Sequence, residues 1–174
     1  EKHFFVSSWG NGLYEFLDGE LVNNYNQYNS PLASIRPGEN YSRICGLAWD
    51  RSGNLWMAQT GVPGNLKALT PEGTWITTQV NLNAATAGDI VIDRNQYIWM
   101  VLPRGSGLLV YDPAGTPAIT TDDRWINLHV QDTEGHTMNN IFSIATDGDG
   151  NIWTGTDMGP AVFYNPGKAF TSDL

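Results

Sequence analysis

Ile144-Ala-Thr-Asp147-Gly-Asp149-Gly-Asn151-Ile-Trp153-Thr-Gly155 decides the fold, because the chain repeats it. The stretches Ile44-Cys-Gly-Leu-Ala-Trp-Asp50-Arg-Ser-Gly-Asn54-Leu-Trp56-Met-Ala58 and Ile90-Val-Ile-Asp93-Arg-Asn-Gln96-Tyr-Ile-Trp99-Met100 align with it without gaps over their central parts. In each, an Asp precedes a Trp by six positions: Asp50 and Trp56, Asp93 and Trp99, Asp147 and Trp153. Turn formers fill the interval and apolar runs flank it, the pattern of a β-hairpin. Gly and Asn take positive φ at little cost, and the Asp side chain caps amides two residues on. A tryptophan that returns once per unit reads as packing between units.

Outward from each hairpin a second pair of strands follows. Gly107-Leu-Leu-Val-Tyr111 comes after Trp99, and Gly159-Pro-Ala-Val-Phe163 after Trp153. Near the start, Phe5-Val-Ser-Ser-Trp9 leads into Gly12-Leu-Tyr-Glu-Phe16 and then Gly19-Glu-Leu-Val22. An aromatic stands four residues after the Gly in all three. Outermost strands read Gly73-Thr-Trp75-Ile-Thr-Thr78 and Arg124-Trp125-Ile-Asn-Leu128. Four strands per unit and a period of about 43 residues, stretched once to about 54, match β-propeller blades. The expectation is an all-β chain: one incomplete propeller domain over 1–174, of about three to four four-stranded antiparallel blades. The blades are expected at 1–30 (partial), 41–82, 86–131 and 139–174 (partial). Both ends read as cuts through a longer protein, with the parent's remaining blades or a second copy covering the edges. No window sustains a helical period with caps, and Asn83-Ala-Ala-Thr-Ala-Gly88 allows one turn at most.

Composition narrows the function. The chain has 174 residues and carries 18 acidic against 9 basic residues, a net charge of −9, without a Lys/Arg run. That excludes a phosphate-tracking surface, so nucleic acid is not an expected partner. Charged residues are only 16% while Gly numbers 19 and Trp 7, which fits many turns and large packed aromatics. Cys45 is the one cysteine; it has no internal disulfide partner and reads as a small core residue. No apolar run approaches the roughly 18 residues of a membrane helix.

Blade topology locates a ligand. Loops between second and third strands share a face with the crossovers to the next blade, while the Asp turns lie opposite. Trp9 and Asn11, the loops at 60–64 and 103–106, and the crossovers at 25–43 and 131–140 fall on that shared face. Carbohydrate recognition wants flat aromatics and planar polar groups, which Trp9, Asn11, Tyr41, Asn139 and Asn140 supply. Arg43 and Arg104 bring forks suited to a phosphate or carboxylate. The duller reading has Arg104 capping its loop and Asn139-Asn140 opening a strand.

Catalysis and metals find little support. Asp147-Gly-Asp149-Gly-Asn151 begins like a calcium loop, but Ile152 replaces the glycine expected sixth, which leaves a tight turn. His3, His129 and His136 are the histidines. His136 has Asp132 and Glu134 near, yet no second His stands at ligand spacing and no nucleophile elbow occurs. The chain is expected to be no enzyme and to need no cofactor or metal.

The signature Asp-x-x-Gly-Asn-Ile/Leu-Trp followed by Gly-Leu-x-x-Tyr/Phe resembles the two-component regulator propeller repeat of bacterial hybrid histidine kinase sensors. Asn151 to Asp157 with Gly159 carries it best, while Trp56-Met-Ala-Gln59 and Gln96-Tyr97 depart from it. Longer stretches, Ser8-Trp-Gly-Asn-Gly-Leu-Tyr14, Ile44 to Ala48, Val101 to Tyr111 and Gly159 to Pro166, resemble the PorZ family of the Bacteroidetes type IX secretion system. That resemblance implies a surface-exposed or periplasmic envelope module that binds anionic lipopolysaccharide and docks the sortase machinery, with protein partners in a secretion or signalling complex. Two alternatives stay open: a periplasmic glycan-sensing propeller of a hybrid sensor, and a propeller lyase.

Overall fold

The structure, a computed structural model, describes residues 2–80 and 86–171. The turn expected around Asn83–Gly88 falls largely at 81–85, outside the described residues. Four antiparallel sheets follow one another along the chain. The first holds β1 (His3–Ser8), β2 (Gly12–Leu17) and β3 (Glu20–Tyr25). The second holds β4 (Ile44–Trp49), β5 (Leu55–Gln59), β6 (Leu66–Leu69) and β7 (Trp75–Thr77). The third holds β8 (Ile90–Ile92), β9 (Ile98–Val101), β10 (Leu108–Asp112) and β11 (Arg124–Leu128). The fourth holds β12 (Ile141–Thr146), β13 (Ile152–Thr156) and β14 (Gly159–Phe163), with a short 3-10 turn at Pro166–Lys168 behind it. Each sheet is a simple meander in chain order, and the inner strands meet in succession, β1 with β4, β4 with β8, β8 with β12. Among the described residues no strand of the first sheet pairs with the fourth, so the row of blades stays open.

The two end sheets lack opposite strands. Gly107, between the second and third strands of its sheet, has φ +78 and donates its N–H to Asn139 O across to the next crossover at 3.2 Å. Gly12 repeats this, with φ +79 and its N–H on Ser42 O at 2.9 Å. A Cβ on Gly12 would lie 2.1 Å from Tyr25 O, and one on Gly107 2.3 Å from Leu128 O. Only glycine fits such a corner. By this equivalence β1 to β3 are the second to fourth strands of a blade, whereas β12 to β14 are the first to third.

The Asp of each hairpin does more than cap its turn. Asp93 Oδ1 accepts the amides of Asn95 and Tyr97 at 2.7 and 3.0 Å, and Oδ2 accepts the Trp99 indole N–H at 3.1 Å. Asp50 holds Trp56 at 2.9 Å and Asp147 holds Trp153 at 2.8 Å. The six-residue spacing is therefore a clamp that fixes the indole while its ring enters the interface. Trp56 then meets Tyr111 of the next blade with centroids 5.7 Å apart, and Trp99 meets Phe163 at 5.3 Å.

Three apolar clusters fill the three interfaces. Along β5, Leu55 and Met57 face the first sheet while Trp56 and Ala58 face the third. Along β9, Ile98 and Met100 face the second sheet while Trp99 and Val101 face the fourth. Middle strands covered on both faces are why β5, β9 and β10 read as unbroken apolar runs. Trp56 and Trp99 are fully buried, but Trp153 is 41% exposed because no blade follows it. Cys45 is half-buried at the edge of the middle cluster, and burial pushes its thiol up to about 11.

Candidate ligand-binding face

Each crossover is stitched to the loops on either side of it. Ser42 O accepts Gly12 N and Arg43 O accepts Thr60 N at 3.1 Å. Asn139 O accepts Gly107 N, and Asn140 O accepts Asp157 N at 3.3 Å. Ser42-Arg43 and Asn139-Asn140 thus occupy equivalent places in two crossovers. The backbone bonds pin these residues where loops of two blades converge, so their side chains start from a fixed platform.

At the first crossover that platform carries a cationic aromatic cluster. The Arg43 guanidinium carbon lies 5.1 Å from the Trp9 ring centroid and 4.9 Å from that of Tyr41, and one terminal N–H donates to Tyr41 Oη at 3.5 Å. Arg36 stacks on Tyr41 at 4.3 Å. The Arg43 hydrogen bond and charge hold the Tyr41 phenol below its ordinary value. Arg36 is paired with Glu39 at 3.3 Å, whereas no carboxylate pairs with Arg43 among the described residues. Its Nε is buried without a hydrogen-bond partner. Trp9 stands 59% exposed. A ring face plus an unneutralised guanidinium can stack a sugar and grip an anionic substituent on it.

The structure brings Trp9, Tyr41 and Arg43 together, and Asn11 joins them through its bridge to Ser42. The other named residues stand elsewhere. Asn139 is occupied, its Oδ1 accepting Val130 N at 2.6 Å and its Nδ2 meeting His129 Nδ1 at 2.9 Å. Asn140 donates to Asp157 Oδ2 at 3.2 Å. Arg104 is exposed at φ +64, the second residue of its loop in a left-handed conformation. Arg36 escaped the sequence reading, because nothing in Ser34-Ile-Arg36-Pro-Gly38 shows that the turn returns the side chain to Tyr41.

The histidines do not converge. His136 Nδ1 meets Asp132 Oδ2 at 2.8 Å, and Asp132 Oδ1 accepts the amides of Glu134 and His136. This reproduces the Asp147–Asn151 turn inside a crossover, with imidazole in place of the Asn amide. Among the described residues no three His, Cys, Asp or Glu side chains gather to hold a metal.

The family profile described as Two component regulator propeller matches residues 135–158. Among solved structures, PorZ of Porphyromonas gingivalis, an essential bacterial surface component of the type IX secretion system, matches with a TM-score of 0.85 at 31% identity. That match covers 99% of this chain and 24% of PorZ, so the chain spans about a quarter of it. The extracellular domain of a one component system of B. thetaiotaomicron matches at TM-score 0.63 and 20% identity, over 98% of this chain and 22% of that one. A streptogramin B lyase matches at 0.59 and 15%, over 88% and 48%. The last two establish the fold alone. No curated protein matches. The chain is a PorZ-like stretch of propeller, built from repeats of the two-component regulator type.

Proposed function

We propose that this stretch is a non-catalytic binding and assembly surface of a bacterial envelope protein, and that its loop-and-crossover face takes an anionic glycan of the lipopolysaccharide class. The observation that carries the reading is the Arg43 guanidinium, set between Trp9 and Tyr41 without a carboxylate partner in a chain of net charge −9. An unpaired guanidinium with a partnerless buried Nε calls for an anion. Likeness to PorZ supports an envelope location and docking onto secretion partners, including a sortase, at neighbouring loops such as that of Arg104.

Calorimetric titration with purified anionic lipopolysaccharide tests this. Saturable binding that Arg43→Ala weakens about tenfold or more, with Trp9→Ala also impaired, is expected from loss of a charge-assisted contact. Absence of binding at high lipopolysaccharide concentration overturns the glycan reading. Selective binding of a neutral oligosaccharide in its place would favour the sensor alternative suggested by the match at 135–158.

A further inference from the structure

On the opposite face, beside the Asp turns, a cavity of 340 Å³ opens between the first two blades. Its volume falls within the usual range of small-molecule sites. Aromatic side chains from three strands form its walls: Phe5 of β1, Tyr25 of β3 and Trp49 of β4. Phe5 and Trp49 meet edge to face, 5.6 Å between centroids. At one end sits Glu15, whose side chain is only 14% exposed. Its Oε1 accepts His3 Nε2 at 2.7 Å, while Oε2 accepts Tyr25 Oη at 2.7 Å and Asn23 Nδ2 at 2.6 Å.

These partners fix both the orientation and the charge of the carboxylate. Burial raises the Glu15 pKa, but the hydrogen bonds from Asn23, Tyr25 and His3 outweigh it and leave the group below its ordinary value. Burial and the Glu15 bond push the Tyr25 phenol up to about 12, so it stays a donor. No Lys or Arg lines the cavity. The donors at its polar end are already spent on Glu15, and what remains for a visitor is negative charge, free acceptor capacity and aromatic faces. A neutral sugar needs donors as well as acceptors. An ammonium group needs acceptors, an anion and π-faces.

We propose that the Glu15 cavity binds a primary ammonium on a slender aliphatic stem, the chemistry of a lysine side chain or a small alkylamine. The stem lies against Phe5 and Trp49, and the ammonium faces Glu15. This site stands on different residues, a different face and the opposite ligand charge from the Arg43 cluster, so either can fail alone.

The test is an NMR titration of the full chain with n-butylammonium, 1-butanol and methyl α-glucoside, following the Trp49 indole N–H. Expected is saturable binding of butylammonium, with 1-butanol about tenfold weaker or worse, in keeping with a desolvated cation contact. Glu15→Gln should remove that preference, and Trp49→Ala should weaken butylammonium. Equal affinity for amine and alcohol, preference for the glucoside, or no shift at Trp49 would each overturn the proposal. The comparison of amine with alcohol needs no variant, so it stands even where Glu15→Gln fails to fold.

Discussion

Alanine at Trp99 and alanine at Trp153 remove the same side chain from the same motif, yet the structure assigns them different costs. Trp99 is 0% exposed. A buried aromatic takes about 150–250 Å² out of water, worth roughly 4–6 kcal/mol at about 25 cal/mol per Å². Measured truncations of buried aromatics, about 3–5 kcal/mol, agree with the lower half of that range, so about 4 is the working figure. Trp153 is 41% exposed, which cuts the transfer contribution to roughly three-fifths, and its removal encloses no cavity. About 2 kcal/mol is expected there.

The clamp adds to the difference. Asn54 and Asn151 also donate to Asp50 Oδ2 and Asp147 Oδ2, at 2.7 and 2.8 Å. In the third unit Tyr97 stands at that place, and Asp93 Oδ2 accepts from Trp99. Asp93 is 3% exposed, so losing the indole leaves a buried carboxylate oxygen short of a donor, at about 1 kcal/mol or more. Trp99→Ala should therefore cost about 3 kcal/mol more than Trp153→Ala. Urea unfolding followed by far-ultraviolet circular dichroism measures the gap, and hydrogen exchange in β9 and β13 tests whether the loss is local. Equal costs, or a larger cost at Trp153, would refute the view that inter-blade burial sets the tryptophan's contribution.

Other consequences are as direct. Gly107→Ala must place a Cβ 2.3 Å from Leu128 O at φ +78, so a loss of roughly 3 kcal/mol is expected. Gly135→Ala, at φ +87 with nothing within 4 Å of the new Cβ, should lose only about 1–2 kcal/mol; equal losses in urea unfolding would dismiss the corner. Lys67, 3% exposed in β6, has its pKa lowered by burial from 10.5 to about 8, with Nζ donating to Gly64 O. Between about pH 8 and 10 the unfolded chain therefore holds more protons at this site, so its contribution to stability rises with pH, by roughly 3 kcal/mol at most. The raised Cys45 thiol acts with the opposite sign there, so the informative quantity is wild type minus Lys67→Met, and a flat difference would show that Lys67 is not desolvated.

The repeat was legible because its signals are local. Asp, Gly-Asn and Trp lie within seven residues, and β-strands covered on both faces leave apolar runs that need no partner to be recognised. The division of strands between the end sheets was half legible. Phe5 to Phe16 already aligned with the second and third strands of later blades, but only the Gly12–Ser42 and Gly107–Asn139 bonds make the equivalence firm. The clamp was missed because capping of amides accounts for an Asp at that position by itself. Nothing in the spacing shows that the second carboxylate oxygen reaches an indole six residues on.

The ligand face was legible only as a face. Topology gathers the loops and crossovers, but which side chains meet depends on how a crossover folds back, and that differs between units. Ser42-Arg43 and Asn139-Asn140 hold the same backbone station. One presents a guanidinium to Trp9 and Tyr41, while the other spends its amides on Val130, His129 and Asp157. The repeat therefore fixes where a crossover residue stands and leaves its side chain free to vary, so blades of one design can carry different chemistry. The Glu15 cavity makes the same point from the opposite face. Glu15 follows Tyr14 in a strand whose counterparts Tyr111 and Phe163 lie in packed interfaces, and it gains an open space because the first interface is filled less completely than the next two. Function in such a chain is written in departures from the repeat, and Arg43 and Glu15 are the two departures with charge exposed to a visitor.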